Sequence, residues 1–383
     1  MAVTPLYGAK IIGTGKADLP DSAIVDNYRL ASDMLERANE AKRLLGVQEL
    51  PPDVLEALQT SNDWIFPRTG ISRRYHLGPE WTTSKIAASA AKNILADAGL
   101  APDQIGDIRV STVTPDHLAS PPCVSETMAQ TGIPVWTTEK VRYHPCLAGD
   151  VSYACSGFLV NVVDVISHLS FGLADYALSL GADKMTTISP PFDRMIWPIL
   201  ADHGGGFGWK RVPYAESDVR PEWIYAGGDW TKGARIITPW GGSAQPLTLD
   251  LMMQDPLLMN SNLQMQGRVV MSELVKALKN FVLPEALEKA GLKWSDIDIA
   301  FFHQANYRII DPVVEALRAL GLRSDAIVYN TIDHYGNTTN ASVPIAVHDA
   351  RRTGVLKPGM LVMIVVMGGG YSWVVMFLRW SLA

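Results

Sequence analysis

The sequence predicts an α/β protein made of two related halves, and two repeated patterns lead to that prediction. Residues 96–110 and 288–302 both have a helical pattern that ends at Ala-Gly-Leu, then a short polar link and an apolar strand. A glycine directly after the last periodic residue is typical of a helix C-terminus. Further along, residues 149–169 and 326–352 both read as strand, tight loop and helix, and a glycine triplet follows in each half. Alternating strands and helices favour mostly parallel sheets with helices on both faces.

We place the boundary between the halves near residue 215, with residues 1–215 forming the N-terminal unit and residues 216–383 the C-terminal unit. Residues 27–57 form a helical insertion in the first unit. Apolar residues recur there every three or four positions over 27–45, and a proline pair then precedes a second short helix. Residues 213–265 are rich in Trp, Gly and Met without a clear period, which indicates long loops.

The composition narrows the class of function. The chain has 383 residues, of which 48% are apolar and 19% charged, as is ordinary for a globular protein with a large core. Its net charge of −6 argues against nucleic acid or an anionic membrane as the main partner. The N-terminus lacks a basic region followed by an apolar one, and no apolar stretch approaches the ~20 residues that span a bilayer. With neither feature, we expect a cytoplasmic protein. The three cysteines match no zinc pattern, so we expect no metal site.

The stretch VSYACSGFLV (151–160) places Cys155 between small residues at the start of an apolar helix. Unpaired N–H groups at a helix N-terminus stabilise a thiolate and lower the pKa of a cysteine there. Small neighbours leave room for a substrate and let a backbone N–H face a reacting carbonyl. The alternative is a buried cysteine that serves as a small apolar residue, and position alone favours this alternative. Cys155 is therefore a candidate nucleophile whose assignment depends on partners elsewhere in the chain.

Two further residues are candidates for the same site. His303 follows an apolar strand, and polar site residues gather at strand ends in α/β folds, although a lone histidine is more often structural. Asn337 lies in the loop that enters a helix, where a turn or N-cap role is equally natural. The duplication puts Cys155 and Asn337 at equivalent loop-to-helix positions. An approximate two-fold axis would then bring a nucleophile, an imidazole and an amide donor together.

Eight motifs extend along nearly the whole chain: KIIGTG (10–15), TSNDWIFPRTGISRR (60–74), VTPDHLASPPC (113–123), YACSGF (153–158), HQANYRII (303–310), YGNTTNASVP (335–344), KPG (357–359) and GGGYSW (368–373). With these motifs in this order, the chain resembles the thiolase-like condensing enzymes, and most closely β-ketoacyl-ACP synthase III. The resemblance implies a thiolase-like fold, in which the duplicated α/β unit forms a five-layered αβαβα architecture, and a homodimer.

The resemblance also implies a reaction. Cys155 would attack an acyl-CoA thioester and release CoA, with the backbone N–H groups of Cys155 and Gly369 as the oxyanion hole. Malonyl-ACP would then lose CO2, and the carbanion would attack the acyl group. His303 and Asn337 would bind the malonyl thioester oxygen and stabilise the enolate, which neutral donors in a dry site do without quenching it. We expect no cofactor, since the CoA thioester is itself the substrate.

Several positions match the substrate-binding residues of the family. Trp64 and Arg194 correspond to the pair that sandwiches the adenine of CoA, a stacking and cation–π arrangement. Arg68 corresponds to an arginine near the CoA phosphates. The other matches are Gly267, Ala305 and Asn306, which would line the pantetheine tunnel, and Arg308, which would dock the acidic carrier protein.

The chain departs from the family pattern around the entrance and the pocket. Ser272 stands where a basic residue is expected, which puts carrier docking in doubt, and Met367 replaces a phenylalanine before the glycine triplet. Leu118 would reach across the dimer interface toward the partner's acyl pocket. The loop within 132–153 is about ten residues longer than ordinary loop lengths lead us to expect. These changes leave the primer open to acyl groups other than acetyl.

Three alternatives accompany the condensation hypothesis. An enzyme of secondary metabolism could form the same acyl-cysteine and pass the acyl group to a hydroxyl, an amine or another acceptor. Intact His303 and Asn337 favour condensation, because simple transfer needs no enolate stabiliser. A non-catalytic partner subunit would typically lack the cysteine. A true thiolase usually has a second catalytic cysteine near the C-terminal glycines, and no cysteine follows Cys155.

Overall fold

Two five-stranded sheets lie at the centre of the computed structural model, which describes residues 6–133 and 145–383. The strands of these sheets and of two short two-stranded sheets are, in chain order, β1 (Tyr7–Lys16), β2 (Ile24–Asp26), β3 (Arg73–Tyr75), β4 (Asp107–Ser111), β5 (Leu147–Val151), β6 (Tyr176–Asp183), β7 (His203–Pro213), β8 (Ile224–Gly228), β9 (Ile236–Ile237), β10 (Gln264–Met265), β11 (Ile299–Phe302), β12 (Ile327–Tyr329), β13 (Leu361–Gly368) and β14 (Ser372–Arg379).

The two large sheets share one topology. In the first, of order β1-β7-β6-β4-β5, β4 pairs in parallel with β5 and β6, whereas β7 runs antiparallel to β6 and β1. In the second, of order β12-β11-β13-β14-β8, β11 pairs in parallel with β12 and β13, whereas β14 runs antiparallel to β13 and β8. The predicted duplication is therefore present. Four of the five strands in each sheet run in one direction, in line with the expectation of mostly parallel sheets, while β7 and β14 run against the others and make each sheet mixed.

The helices surround and separate these sheets. In chain order they are α1 (Asn27–Leu45), α2 (Pro52–Leu58), α3 (Asn62–Thr69), α4 (Thr83–Ala98), α5 (Cys123–Thr131), α6 (Gly157–Ser170), α7 (Leu249–Gln254), α8 (Gly267–Ala277), α9 (Leu283–Ala290), α10 (Tyr307–Ala319), α11 (Ile332–Tyr335) and α12 (Ser342–Arg352). Within the described ranges, none of them combines the length and apolar character that a membrane crossing requires.

The Ala-Gly-Leu repeats mark the same structural unit in both halves. α4 ends at Gly99 and α9 ends at Gly291, and both glycines adopt a left-handed conformation with φ of 65°. A single 3₁₀ turn follows in each case and leads into β4 or β11, the strand with two parallel neighbours. Glycine adopts positive φ at little steric cost, which explains why this residue ends both helices.

The elements form five layers, as the resemblance implies. α6 and α12 lie between the sheets and share one buried cluster with strands of both, including Phe158 of α6, Val347 of α12, Trp209 of the first sheet and Phe301 of the second. α4 and α5 cover the outer face of the first sheet. α8, α9 and α10 cover the outer face of the second. Burial of these apolar faces is the main stabilisation of the stack.

The predicted helical insertion forms two helices. α1 begins after Asp26, whose side chain accepts the N–H of Arg29 at 2.7 Å, and it ends at Gly46 with φ of 67°. α2 starts at the second proline of the pair, where a missing N–H costs nothing. α1 therefore has the predicted bounds. The longer loop expected over 132–153 falls mostly on residues 134–144, outside the described residues.

The segment over 213–265 contains more structure than the prediction of long loops. β8 lies within it and forms the edge of the second sheet, in addition to the long loops predicted there. The rest contains only the short elements β9, α7 and β10, joined by loops and 3₁₀ turns. β7 ends at Pro213 in one sheet and β8 begins at Ile224 in the other. The boundary near residue 215 lies between them and stays a prediction.

Candidate active site

Cys155 lies in a single 3₁₀ turn, Ala154–Ser156, between β5 and the first residue of α6. Its side chain is half-buried. Strain is concentrated around it: of the four non-glycine residues with positive φ in the described chain, Ala154 (47°), Thr339 (48°) and Tyr371 (53°) lie in the three segments that meet here. Such conformations cost about 1–3 kcal/mol each and persist where the surrounding structure enforces them. The packing of both halves therefore fixes the position of the cysteine.

The glycine triplet after β13 lies directly against this turn. A Cβ at Gly368 would come within 2.6 Å of the backbone nitrogen of Cys155, so only glycine fits. The N–H groups of Cys155 and Gly369 act on the sulfur and lower the pKa of the thiol. Burial, followed by the negative charge of Asp183, outweighs them and raises this pKa to about 12. The expectation of a depressed pKa is wrong, because burial costs the thiolate more than the N–H groups return.

Asp183, which the sequence analysis missed, joins the two halves beneath the site. This carboxylate at the end of β6 is fully buried and accepts the N–H of Val113 at 2.7 Å. From the second half it accepts the N–H of Asn340 at 3.1 Å, the Nδ2 group of Asn340 at 2.9 Å and the hydroxyl of Thr339. These hydrogen bonds lower the pKa of the carboxyl, but burial raises it by more. An acidic residue ending an apolar strand was the signal that could have revealed it.

His303 follows β11 and is buried, with 8% of its surface exposed. Burial lowers the pKa of the imidazole to about 4, so the ring is neutral at pH 7 and carries one N–H. Nδ1 lies 2.7 Å from Oγ of Ser342, the first residue of α12. The same hydroxyl lies 2.9 Å from the carbonyl oxygen of Thr339, to which it can donate.

The single proton of the Ser342 hydroxyl determines what His303 can do. If Ser342 donates to Thr339, Nδ1 of His303 must carry the imidazole proton, and Nε2 is left as an acceptor. If Ser342 donates to Nδ1, the imidazole proton is on Nε2, which becomes a donor. Rotation of one O–H bond thus changes Nε2 between a base and a hydrogen-bond donor.

Asn337 is buried and held at both its backbone and its side chain. Its N–H donates to the carbonyl of Ile199, and its carbonyl accepts the N–H of Ala201, so the first half of the chain fixes it. Oδ1 accepts the N–H of Thr339 at 2.9 Å, which is the turn role expected as an alternative. Because Oδ1 is engaged, the Nδ2 group is the donor that remains for a ligand.

The structure brings the segments that carry the three candidate residues into contact but corrects their relation. The turn Ala154–Ser156 precedes α6 as the turn Thr339–Ala341 precedes α12, and the two turns contact each other. Cys155 is therefore equivalent to Asn340, three residues after Asn337. The predicted equivalence of Cys155 and Asn337 is wrong, while the meeting of their loops is right. One short segment, 337–342, carries Asn337 and also the serine that contacts His303.

A small apolar cavity of about 40 Å³ lies beside His303. Ala305 and Met367 line it together with side chains of α8, α10, β11 and β13. Met367 stands at the position where the resemblance leads us to expect phenylalanine. Its flexible side chain closes this wall with only 8% of its surface exposed.

The side chains of Trp64, Arg68 and Arg194 lie together in the structure. The N–H of Trp64 donates to the hydroxyl of Ser61 at 3.2 Å, which caps α3. The guanidinium carbons of Arg68 and Arg194 lie 4.7 Å and 5.0 Å from the centre of the indole ring. Cations at this distance from an aromatic ring are attracted to it. The three residues thus form a cationic aromatic cluster at the surface.

The remaining predicted residues lie around α8 and the start of α10. Gly267 is the first residue of α8, and Ser272 is exposed on the same helix. Asn306 caps α10 by accepting the N–H of Arg308 at 2.9 Å, so it has a structural role in addition to any contact with substrate. The exposed Arg308 donates from Nε to the carbonyl of Pro67 in α3, at 3.3 Å. Leu118 is 87% exposed.

No group of three or more His, Cys, Asp or Glu side chains in residues 6–133 and 145–383 is arranged to hold a metal ion. Backbone N–H groups act on the Cys155 sulfur, and the segment 337–342 that contacts its turn carries an amide and binds an imidazole. This set suits a reaction in which negative charge develops on an oxygen atom next to a cysteine.

Comparison with known proteins gives consistent results. Residues 287–380 match the family model for the C-terminal domain of 3-oxoacyl-[acyl-carrier-protein] synthase III. The chain is 36% identical over 318 residues to the β-ketoacyl-[acyl-carrier-protein] synthase III of Erythrobacter litoralis, an alignment that covers 82% of this chain and 90% of the relative. It is 33% identical over 330 residues to the enzyme of that name from Caldanaerobacter subterraneus, with 86% and 92% covered.

The fold is similar to solved structures of proteins with the same name. The 3-oxoacyl-[acyl-carrier-protein] synthase III of Aquifex aeolicus aligns with a TM-score of 0.76 and 28% identity. The alignment covers 97% of this chain and all of the solved one. This likeness confirms the duplicated, five-layered architecture over the length of the chain.

Proposed function

The chain belongs to the β-ketoacyl-[acyl-carrier-protein] synthase III family, and on this premise we propose the residues that carry out its reaction. It is a condensing acyltransferase of fatty acid biosynthesis, which joins an acyl-CoA primer to malonyl-ACP and gives β-ketoacyl-ACP, CoA and CO2. The observation that supports the assignment of residues is the contact between the turn of Cys155 and segment 337–342, which contains Asn337 and reaches the neutral His303 through Ser342. Transfer of the acyl group to another acceptor would not require these donors, so that alternative is not favoured.

Cys155 performs the first half-reaction. Its sulfur attacks the carbonyl carbon of acyl-CoA, and the N–H groups of Cys155 and Gly369 stabilise the negative oxygen that forms. The C–S bond to CoA then breaks, and the proton lost by the cysteine balances the proton gained by the CoA thiolate. The pKa of about 12 means that the free thiol is neutral at pH 7, so the thiol proton must leave as the sulfur attacks.

His303 and Asn337 perform the second half-reaction. They donate from Nε2 and Nδ2 to the thioester oxygen of malonyl-ACP, and the enolate that forms when CO2 leaves is stabilised there. The carbanion attacks the acyl-cysteine carbonyl, the C–S bond to Cys155 breaks, and the cysteine regains a proton. His303 can donate from Nε2 only when Ser342 donates to Nδ1, so Ser342 is the positioning residue of this step.

The outer residues bind the carriers of the two acyl groups. Trp64 and Arg194 take the adenine of CoA, and Arg68 its phosphates, since a flat base stacks on an indole and guanidinium groups pair with phosphate. Gly267, Ala305 and Asn306 line the path of the pantetheine. Arg308 contributes to docking of the acidic carrier, which must rely on other basic groups as well because Ser272 is uncharged.

We also propose a cytoplasmic homodimer that uses no cofactor. β5 lies at the edge of the first sheet and exposes Leu147. Leu118, in the loop before α5, is also exposed. An edge strand with exposed apolar residues favours pairing with a second copy. Light scattering should therefore give twice the monomer mass of 41.8 kDa. A monomeric active enzyme would contradict this part of the proposal.

Intact-protein mass spectrometry tests the nucleophile. Incubation with acyl-CoAs of increasing chain length should add the mass of one acyl group, and Cys155→Ala should add none. The best-loaded chain identifies the primer, and malonyl-ACP should then release CO2 and give β-ketoacyl-ACP. An acyl-enzyme that never releases CO2 would support transfer to another acceptor instead.

A further inference from the structure

The helical insertion is attached to the segment that carries Arg194. Ala41 of α1 and Leu58 of α2 are buried against Phe192, two residues before Arg194, and against Leu257. The side chains of Ala41, Leu58 and Phe192 are no more than 3% exposed. This shared cluster means that the insertion and the arginine segment pack as one unit.

Three hydrogen bonds connect the end of α2 to Arg194 itself. The N–H of Arg194 donates to the carbonyl of Ala57 at 2.9 Å, and Nη1 donates to the carbonyl of Gln59 at 2.8 Å. Nη2 lies 2.6 Å from Oε1 of Glu56, which makes this contact an ion pair. Glu56 is the one charged side chain among these partners, and it belongs to the insertion.

The guanidinium held in this way lies too close to Trp64 for a base to enter between them. Its carbon is 5.0 Å from the centre of the indole ring, whereas a planar base stacked on both would need about 7 Å, two van der Waals contacts of ~3.5 Å. The guanidinium of Arg68 also lies over this ring, at 4.7 Å. The guanidinium groups of Arg68 and Arg194 therefore already lie over the ring on which the base would stack.

We propose that Glu56 is a specificity-determining residue that holds Arg194 against Trp64, so that this guanidinium must move away from the indole ring before the adenine of an acyl-CoA can stack between them. The inference rests on the proposed use of acyl-CoA and deepens it. An acyl donor that carries adenine must disturb the ion pair between Glu56 and Arg194 in order to bind. A pantetheine thioester without a nucleotide leaves this ion pair intact. The insertion therefore reduces the advantage of CoA-bound donors over donors that reach Cys155 through pantetheine alone.

Glu56→Gln tests the proposal by removing the charge while keeping the shape. The carboxylate is largely exposed, with 70% of its side chain accessible, so its loss should lower the KM for acyl-CoA by about two- to five-fold, the range of an exposed ion pair. The rate of Cys155 acylation at saturation should not change. The KM for the same acyl group on pantetheine, without the nucleotide, should also stay the same.

Glu49→Gln is the matched control, because Glu49 is another exposed glutamate of the insertion and the change in net charge is the same. An equal fall in KM for this variant would attribute the effect to general charge and overturn the proposal. An unchanged or higher KM for acyl-CoA in Glu56→Gln would overturn it as well, as would an equal fall with the pantetheine thioester.

Calorimetry with free CoA separates this inference from the proposed function. If no acyl-CoA acylates the wild-type enzyme, the proposed function fails, and tighter binding of CoA to Glu56→Gln than to the wild type would still support the role of Glu56. If acylation proceeds but Glu56→Gln binds CoA no more tightly than the wild type does, the proposed function stands and the role of Glu56 is refuted.

Discussion

Replacing Ser342 with alanine tests whether this hydroxyl determines the position of the His303 proton. Oγ lies 2.7 Å from Nδ1 of His303 and 2.9 Å from the carbonyl oxygen of Thr339, and the serine side chain is buried. Alanine is a good helix former at the start of α12, so the change removes both contacts while keeping the helix. Nδ1 then loses the donor that keeps the imidazole proton on Nε2.

The expected losses follow from hydrogen-bond energies. A single hydrogen bond contributes about 0.5–1.5 kcal/mol net, which corresponds to about 2- to 13-fold in the population of the tautomer with a proton on Nε2. Release of CO2 from malonyl-ACP should fall by this factor, whereas acylation of Cys155 forms no enolate and should keep its rate. The free energy of unfolding should fall by about 1–3 kcal/mol, since Nδ1 and the Thr339 carbonyl lose a buried partner.

Three measurements check this prediction. CO2 release and intact-protein mass spectrometry follow the two half-reactions separately, and the ¹⁵N chemical shifts of His303 report its tautomer. Ser189→Ala is the control, because this buried serine donates to the carbonyl of Met185 at 2.7 Å instead of contacting the catalytic imidazole. An unchanged rate of CO2 release, or an equal loss in acylation or in the control, would refute the reasoning.

Four further changes test the other contacts of the site. Alkylation of Cys155 by iodoacetamide should rise about tenfold per pH unit from pH 7 to 9, because the pKa of the thiol is about 12; a plateau in this range, seen by peptide mass spectrometry, would contradict that value. Asn337→Asp keeps Oδ1 for the N–H of Thr339 but removes the amide donor, so CO2 release should fall ~10²–10³-fold with little change in melting temperature, and a fully active variant would exclude the amide. Gly368→Ala puts a methyl group 2.6 Å from the nitrogen of Cys155 and should abolish acylation in the mass assay, whereas Gly242→Ala, with no atom within 4 Å of the new Cβ, should not. Asp183→Asn removes the charge that raises the pKa of Cys155, so alkylation at pH 8 should become faster while CO2 release becomes slower; equal alkylation rates would contradict this role.

Local sequence patterns predicted those parts of the fold that depend on local physics. The periodicity of residues 27–45, followed by Gly46, is sufficient to define α1, because an amphipathic stripe and a left-handed glycine specify a helix and its end. The repeated Ala-Gly-Leu pattern located the paired central strands for the same reason. The direction of β7 and β14 has no local signal, so the sequence could not reveal that each sheet is mixed.

The sequence predicts which residues form the site, but it could not predict the electrostatics around the cysteine. Motifs identified Cys155, His303 and Asn337, and the helix N-terminus led us to expect a low pKa at the cysteine. That expectation treated the helix in isolation, whereas burial and a carboxylate from another strand determine the outcome. Ser342 and Glu56 were missed as well, because their roles arise from contacts with His303 and Arg194, 39 and 138 residues away along the chain.

Asp183 explains why a site for a nucleophilic cysteine contains a charge that opposes its ionisation. This carboxylate fixes Thr339 and Asn340, and the same short segment supplies Asn337 and Ser342 to the proposed enolate site. The cost falls on the thiol, whose pKa stays raised although the N–H groups of Cys155 and Gly369 act on the sulfur and lower it. In the proposed decarboxylation, without a fixed segment neither the amide of Asn337 nor the tautomer of His303 would be defined. The arrangement therefore gives up thiolate stability in order to hold the donors on which carbon–carbon bond formation depends.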